Sequence, residues 1–371
     1  MENFFNIKNY WRNIDKYILI SFILLFLLGI FFSFSSTSFL ADERLNKGYY
    51  FFFQKHLIYA FFSFFLMILV SMMNTKIINK SLLIIFIFFL TLLFLVPFFG
   101  IEVKGAKRWL SLYLFRFQPI EFIKPFFVLL IAQIISSERI KNLNFAHLIS
   151  FSILSIITLM LLIQPDIGQT VLLVCTWISI IFVSGFSVVF LFLILIIFTL
   201  LFFGLLYIAP DRFNYIISRL TSFMDPEKSG NFQSQKAIDA IKQGGLKGQG
   251  MGEGILKERV PEAHTDYIIA VVSEEFGSIV SILIVTIFLF ISFRIVKKAV
   301  SFTNNFYKLS ICGLASLLIF QTFIHIGVNA NLLPTTGMTL PFLSYGGSSL
   351  LSSGIIAGVL LNYTSLNEKI E

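Results

Sequence analysis

The chain has 371 residues, of which 57% are hydrophobic and only 13% charged, with a net charge of +8. Soluble domains carry about a quarter charged residues, so a soluble globule is excluded. The positive balance reads as basic loops against anionic lipid rather than a nucleic-acid surface.

Apolar runs of span length recur along the whole chain, each long enough to cross a core of roughly 30 Å as a helix. The alternating segments of about ten residues that mark a membrane barrel are missing. "NYWRNIDKYILI" shows no signal-peptide cleavage pattern and leads into a first span read as a retained anchor. In chain order the expected spans are 18–39, 52–73, 81–99, 118–136, 147–163, 168–184, 187–208, 266–292, 309–329 and 342–362. The expected fold class is an all-α polytopic membrane protein of about ten transmembrane helices, forming one membrane domain over 1–371. With both termini cytoplasmic, the inner segments hold twelve Lys and Arg and the short outer loops six, which sets the orientation. Residues 210–265 then form one large extracytoplasmic loop, with helical periodicity over 211–223 and 231–243. Its "GGLKGQGMGEG" reads as a flexible or tightly turned stretch. No βαβ unit surrounds the glycines, so they do not make a nucleotide site.

Cys175 and Cys312 lie within spans and make neither a disulfide framework nor a CxxC pair. The histidines at 56, 147, 264 and 325 have no metal-ligand spacing. The informative residues are polar groups inside or beside spans, where a charge costs roughly 2.5–3.5 kcal/mol at the helix centre. In "RFQPIEFIK", Gln118 and Pro119 mark a helix start, and Glu121 and Lys124 share a face at i and i+3. Two readings stay open for this segment. One is a structural ion pair with Arg116 and Trp109 at the interface. The other is an anion site at the outer surface. In "PEAHTDYIIAVVSEEFG", Asp266, Ala270 and Glu274 fall on one helical face, which places Asp266 at the outer edge and Glu274 two turns deeper. Asp266 or Thr265 is also a candidate N-cap. Gln321, His325 and Asn329 form a polar stripe expected to bind helix to helix. Asp166 in "QPDIG" is expected to cap the sixth span.

"GAKRWL", "RFQPIEFIK", "QPDIGQT", "GGLKGQGMGEG", "PEAHTDYIIAVVSEEFG" and "LPTTGMTLPFLSYGGSS" occur in that order. The chain resembles, on these motifs, the SEDS family of ten-span glycosyltransferases that polymerise lipid II into glycan strands. "PEAHTD" and "GMTLPFLSYGG" look more like its cell-division branch than its elongation branch. The resemblance implies Asp266 as the catalytic residue. It implies Arg116, Lys124, Trp109, Glu121 and Gln118 as substrate-binding, and Glu274, Glu275, His264 and Asp166 as structural support. Glu258 precedes Asp266 but matches the motif less clearly. No metal ligand set is expected, and no cofactor, with a divalent cation (Mg or Mn) left open. The implied partners are lipid II, a class B penicillin-binding protein transpeptidase and other division proteins, with no nucleic acid. The implied place is the bacterial inner membrane at the septum. A lipid II flippase is the rival reading.

Overall fold

The computed structural model describes residues 13–36, 50–103, 106–112, 115–140, 142–187, 214–224, 232–255 and 262–366, with single helical positions between 189 and 204. Most of the expected seventh span, and Glu258, lie outside the described residues. The expected spans on either side are helices: α1 (Lys16–Ser36), α2 (Phe51–Met72) and α3 (Thr75–Phe99). They continue as α4 (Pro119–Ile135), α5 (Leu143–Ile163) and α6 (Ile167–Val183). After the loop helices α7 (Asn214–Met224) and α8 (Phe232–Gly244) come α9 (Ile268–Ala299), α10 (Asn305–Asn329) and α11 (Gly347–Thr364). α1, α2, α3, α5, α9 and α10 are each long and apolar enough to cross a membrane unaided. α7 and α8 fall where the periodicity of 211–223 and 231–243 places helices.

The tightest helix contact joins α2 to α11 and depends on missing side chains. A Cβ on Gly354 would strike the Ser63 carbonyl, and one on Gly358 would approach the Met67 carbonyl at 2.8 Å. This GxxxG spacing lets two backbones touch, which is how membrane helices gain packing energy without a hydrophobic driving force. The Ser63 hydroxyl donates to the Leu350 carbonyl at 2.5 Å across the same seam. At the opposite end, Asp15 just before α1 accepts from Arg294 Nε with both oxygens at 2.9 Å, and Arg294 lies 4.3 Å over the Tyr17 ring.

Three features depart from a simple bundle. Three short strands form a small antiparallel meander, β1 (Ile101–Val103), β2 (Ala106–Leu112) and β3 (Phe115–Phe117). α9 is broken at Gly277, whose φ of +84° and ψ of 165° lie outside helical space. The expected span at 342–362 begins only at Gly347, because 330–346 is an irregular segment that enters the bundle. Its Phe342 packs on Phe22 and Phe26 of α1 with ring centroids 5.4 and 5.1 Å apart. Phe26 lies ten residues before the end of α1, about 15 Å along the axis.

Irregular backbone at that depth survives only where protein satisfies its polar groups, and here the α10 stripe does so. Gln321 Nε2 donates to the Thr339 carbonyl at 3.0 Å, and His325 Nδ1 lies 2.8 Å from the Met338 carbonyl. Ser344 Oγ accepts from the Leu340 amide at 2.8 Å.

Candidate active site

The site lies at the end of the bundle that carries the meander. Asp266 closes the turn before α9, where its amide donates to the Glu262 carbonyl at 3.1 Å. It is not a side-chain cap. Asn329 from the end of α10 takes that role: its Nδ2 donates to the Asp266 carbonyl at 2.9 Å, and its Oδ1 accepts from the Ala270 amide at 3.2 Å. The helix start and the acid are thus held by one buried amide. Burial pushes the adjoining Tyr267 hydroxyl up to about 12. The Asp266 charge adds to that rise, and the Ser234 hydroxyl and Arg219 oppose it.

Arg108 and Asp266 both border Gly337. A Cβ on Gly337 would lie 3.7 Å from Asp266 Oδ2 and 3.9 Å from Arg108 Nη1. Gly337 has φ +73°, a conformation that glycine adopts without strain, and the absent side chain leaves room between acid and guanidinium. Arg108 Nε donates to the Gln164 carbonyl at 3.2 Å and lies 3.7 Å from Asp166 Oδ2, and Nη2 donates to the Pro165 carbonyl. Asp166 caps α6, accepting from the Gln169 amide at 3.4 Å, and also accepts from Gln118 Nε2 at 3.4 Å. Arg219 of α7 donates to the Thr335 carbonyl at 2.5 Å and brings a second guanidinium to the same segment.

Beneath this surface Glu121 and Lys124 are closed on one another. Their side chains are 4% and 1% exposed and meet at 2.8 Å. Gln169 donates to Glu121 Oε1 at 2.6 Å, and Lys124 donates to Gln321 Oε1 at 3.1 Å. Gln118 is buried, with its amide donating to Ser348 Oγ at 3.0 Å. Of the two readings open in the sequence, this arrangement has the geometry of the ion pair. Arg116 on β3 is exposed, and Trp109 on β2 is half-buried opposite Ile101. The His264 ring stacks 4.3 Å from Phe52, and its carbonyl accepts from the Tyr345 amide at 2.9 Å.

Glu274 and Glu275 are not deep in a continuous span. The helix that starts at Ile268 ends just after them, and the 22 residues from 278 to 299 rise about 33 Å, enough to cross the core by themselves. Both acids therefore sit above the crossing helix. The glycine-rich stretch wraps the break: the Gln249 and Gly250 amides donate to the carbonyls of Glu274 and Glu275 at 2.9 and 3.0 Å. The Ser278 amide donates to the Gly245 carbonyl at 3.0 Å, and the Gly252 amide to Glu275 Oε1 at 3.2 Å. Cβ atoms on Gly244, Gly248 or Gly277 would each strike backbone here. The motif thus splices the loop to α9.

Arg108, Arg219 and Gly337 were not singled out in the sequence, and Asn329 was read only as part of the polar stripe on α10, not as a residue of the site. Reading 106–112 as a strand would have helped with Arg108, because alternation puts it on the face opposite Lys107 and Trp109. Arg219 and Asn329 reach the site only through tertiary contacts. Among the described residues, no three His, Cys, Asp or Glu side chains converge in metal-binding geometry.

Fold and site together define a polytopic membrane protein with a polar, arginine-flanked carboxylate at one end of its helix bundle. The chain belongs to the FtsW/RodA/SpoVE family, whose model, described as "Cell cycle protein", matches residues 15–369. It is 33% identical over 363 residues to "Probable peptidoglycan glycosyltransferase FtsW" of Caulobacter vibrioides, covering 95% of this chain and 89% of that one. It is likewise 33% identical to "Stage V sporulation protein E" of Bacillus subtilis, over 94% of this chain and 96% of that one. Among solved structures, one chain from "Structural coordination of polymerization and crosslinking by a peptidoglycan synthase complex" aligns with a TM-score of 0.75 and 23% identity. That alignment covers 95% of this chain and 98% of that one. The Thermus thermophilus rod shape determining protein RodA aligns with a TM-score of 0.66 and 22% identity, over 95% and 97%. At these identities the structures establish the shared fold.

Proposed function

We propose that this chain is a peptidoglycan glycosyltransferase that polymerises lipid II into glycan strands during septal wall synthesis. The observation that carries the reading is Asp266, whose backbone carbonyl is fixed by Asn329 and whose carboxylate borders Gly337 together with the Arg108 guanidinium. In this reading the 210–265 segment and the meander face outward from the cytoplasmic membrane, and the acid sits at the water boundary.

The reaction is an inverting transfer. The acceptor sugar 4-hydroxyl attacks the anomeric carbon of the donor, the bond to the lipid diphosphate breaks, and Asp266 takes the hydroxyl proton. The leaving diphosphate gains negative charge, which a guanidinium held in advance by carbonyls stabilises without reorganising. Arg108 has that arrangement, tethered through Nε and Nη2 with Nη1 bordering Gly337. The Glu121–Lys124 pair supports the floor under Asp166 and Gln169 rather than touching substrate. No step is routed through a cation.

Purified full-length chain supplied with lipid II, with and without a class B penicillin-binding protein transpeptidase, tests this reading. Glycan polymer in either reaction is the expected result. Lipid II crossing a proteoliposome membrane with no polymer under either condition would favour a flippase and overturn it.

A further inference from the structure

A second polar cluster lies across the 337–345 segment from Asp266. His56, in the second turn of α2, is fully buried, and neither ring nitrogen has a hydrogen-bond partner. A buried donor left unpaired costs about 1–3 kcal/mol, so its retention calls for an explanation. Its ring lies 6.5 Å from that of Tyr345, which also packs against Phe52 and His264 at 5.6 Å each. Tyr345 is half-buried. Arg116 on β3 comes to the same end of the bundle, two residues before Gln118, whose amide donates to Ser348 Oγ in the first turn of α11 at 3.0 Å.

Directly after Tyr345 the chain turns into α11. Its N-cap is Gly346, with no side-chain cap hydrogen bond, so no side chain caps the positive end of this 18-residue helix. The Tyr59 ring occupies the space where Gly347 would carry a Cβ, with ring carbons as close as 2.7 Å. The groups assembled are a guanidinium, two phenol hydroxyls, an imidazole and a helix N-terminus. The guanidinium and the helix amides can only donate hydrogen bonds. Such a set suits an oxyanion, and a guanidinium fork over a helix start suits phosphate.

We propose that Arg116, Tyr59, Tyr345 and His56, gathered at the N-terminus of α11, form a second anion subsite that takes the diphosphate headgroup of a polyprenyl lipid. Arg116, Tyr59 and Tyr345 supply the accessible layer, and His56 closes it from below. The inference rests on the polymerase reading, in which two lipid-linked saccharides meet and the second diphosphate needs a place apart from the Arg108 side. It also gives "SYGG" a role: the two glycines let α11 start with no side-chain cap under the tyrosine.

Direct binding to the purified full-length chain in nanodiscs tests the subsite without turnover, so a failure to polymerise and a failure of the subsite are separate results. The probes are a polyprenyl diphosphate, the matching polyprenyl alcohol and inorganic pyrophosphate. The diphosphate is expected to bind, with pyrophosphate competing and the alcohol at least about tenfold weaker. Arg116→Gln and Tyr345→Phe, the latter keeping its ring packing, should each weaken a diphosphate binding step about tenfold, the scale of one charge-assisted hydrogen bond. His56→Gln, which keeps a donor, should hold the step better than His56→Leu. Monodisperse Arg116→Gln and Tyr345→Phe proteins that titrate like the parent would overturn the proposal. So would an alcohol that binds as tightly as the diphosphate, or pyrophosphate that does not compete.

Discussion

Asn329 ties Asp266 to the first turn of α9: it donates to the Asp266 carbonyl at 2.9 Å and accepts from the Ala270 amide at 3.2 Å. It is 1% exposed and reaches no solvent, so it acts by positioning. Asn329→Ala leaves a buried carbonyl and amide unpaired, about 1–3 kcal/mol. Polymer formation should fall at least about tenfold in kcat, with the KM for lipid II little changed. A variant whose KM rises while kcat holds would instead place Asn329 on the substrate.

The Glu121–Lys124 pair makes a different prediction. Removing one partner of a buried pair strands the other charge, typically at 3–5 kcal/mol, whereas replacing both is often close to neutral. Lys124→Met should therefore lower thermal stability more than Glu121→Gln combined with Lys124→Met. The coupling is read from a double-mutant cycle. If the double variant melts well but loses lipid II binding, Lys124 is a substrate contact and the supporting role assigned here is wrong.

Gly277 tests the splice between loop and helix. Its φ of +84° costs a residue with a Cβ about 1–2 kcal/mol, and the Cβ would also strike the Leu246 carbonyl. Gly277→Ala should unfasten the glycine-rich stretch. Amide exchange would then speed up at Gln249 and Gly250, which bond to Glu274 and Glu275, while exchange along 278–299 stays slow. Exchange at Gln249 and Gly250 unchanged from the parent would rule out the splice.

At the far end, Asp15 gives a pH dependence. Burial works against its charge, but the Arg294 hydrogen bond, the Ile18 amide and the charges of Arg294 and Lys298 outweigh it and hold the carboxyl below its ordinary 3.8. A lowered folded-state pKa means stability that is present above the unfolded value and lost as pH falls through the folded one. The melting-temperature gap between the parent and Asp15→Asn should therefore persist from neutral pH to about 4 and close below it. A gap that is constant down to pH 2 would show that packing, not charge, is what Asp15 supplies.

Much of this was legible in the residues. Apolar runs give nine of the ten expected spans as helices, and the tenth falls largely outside the described residues. The stripe Gln321, His325, Asn329 was readable as glue between elements, but its partner was not: the partner is an irregular segment, 330–346, whose need for carbonyl acceptors has no local signature. Periodicity also ran α9 through Gly277. A single glycine in an apolar stretch is unremarkable until its φ is known, and that error sank Glu274 and Glu275 into the membrane. The site was visible as charges near span ends. Which charges meet was not, because Arg108 and Asp266 are brought together by a glycine on a third segment.

The central claim is that Asp266 takes the proton in glycan transfer. Asp266→Asn keeps the side-chain shape and leaves the backbone bond to Asn329 available. The deciding measurement is polymer formed from lipid II by the purified variant, checked beside the parent for equal folding and membrane insertion. The account predicts a folded, inserted protein that makes no glycan polymer. Polymer at the parental rate would contradict it.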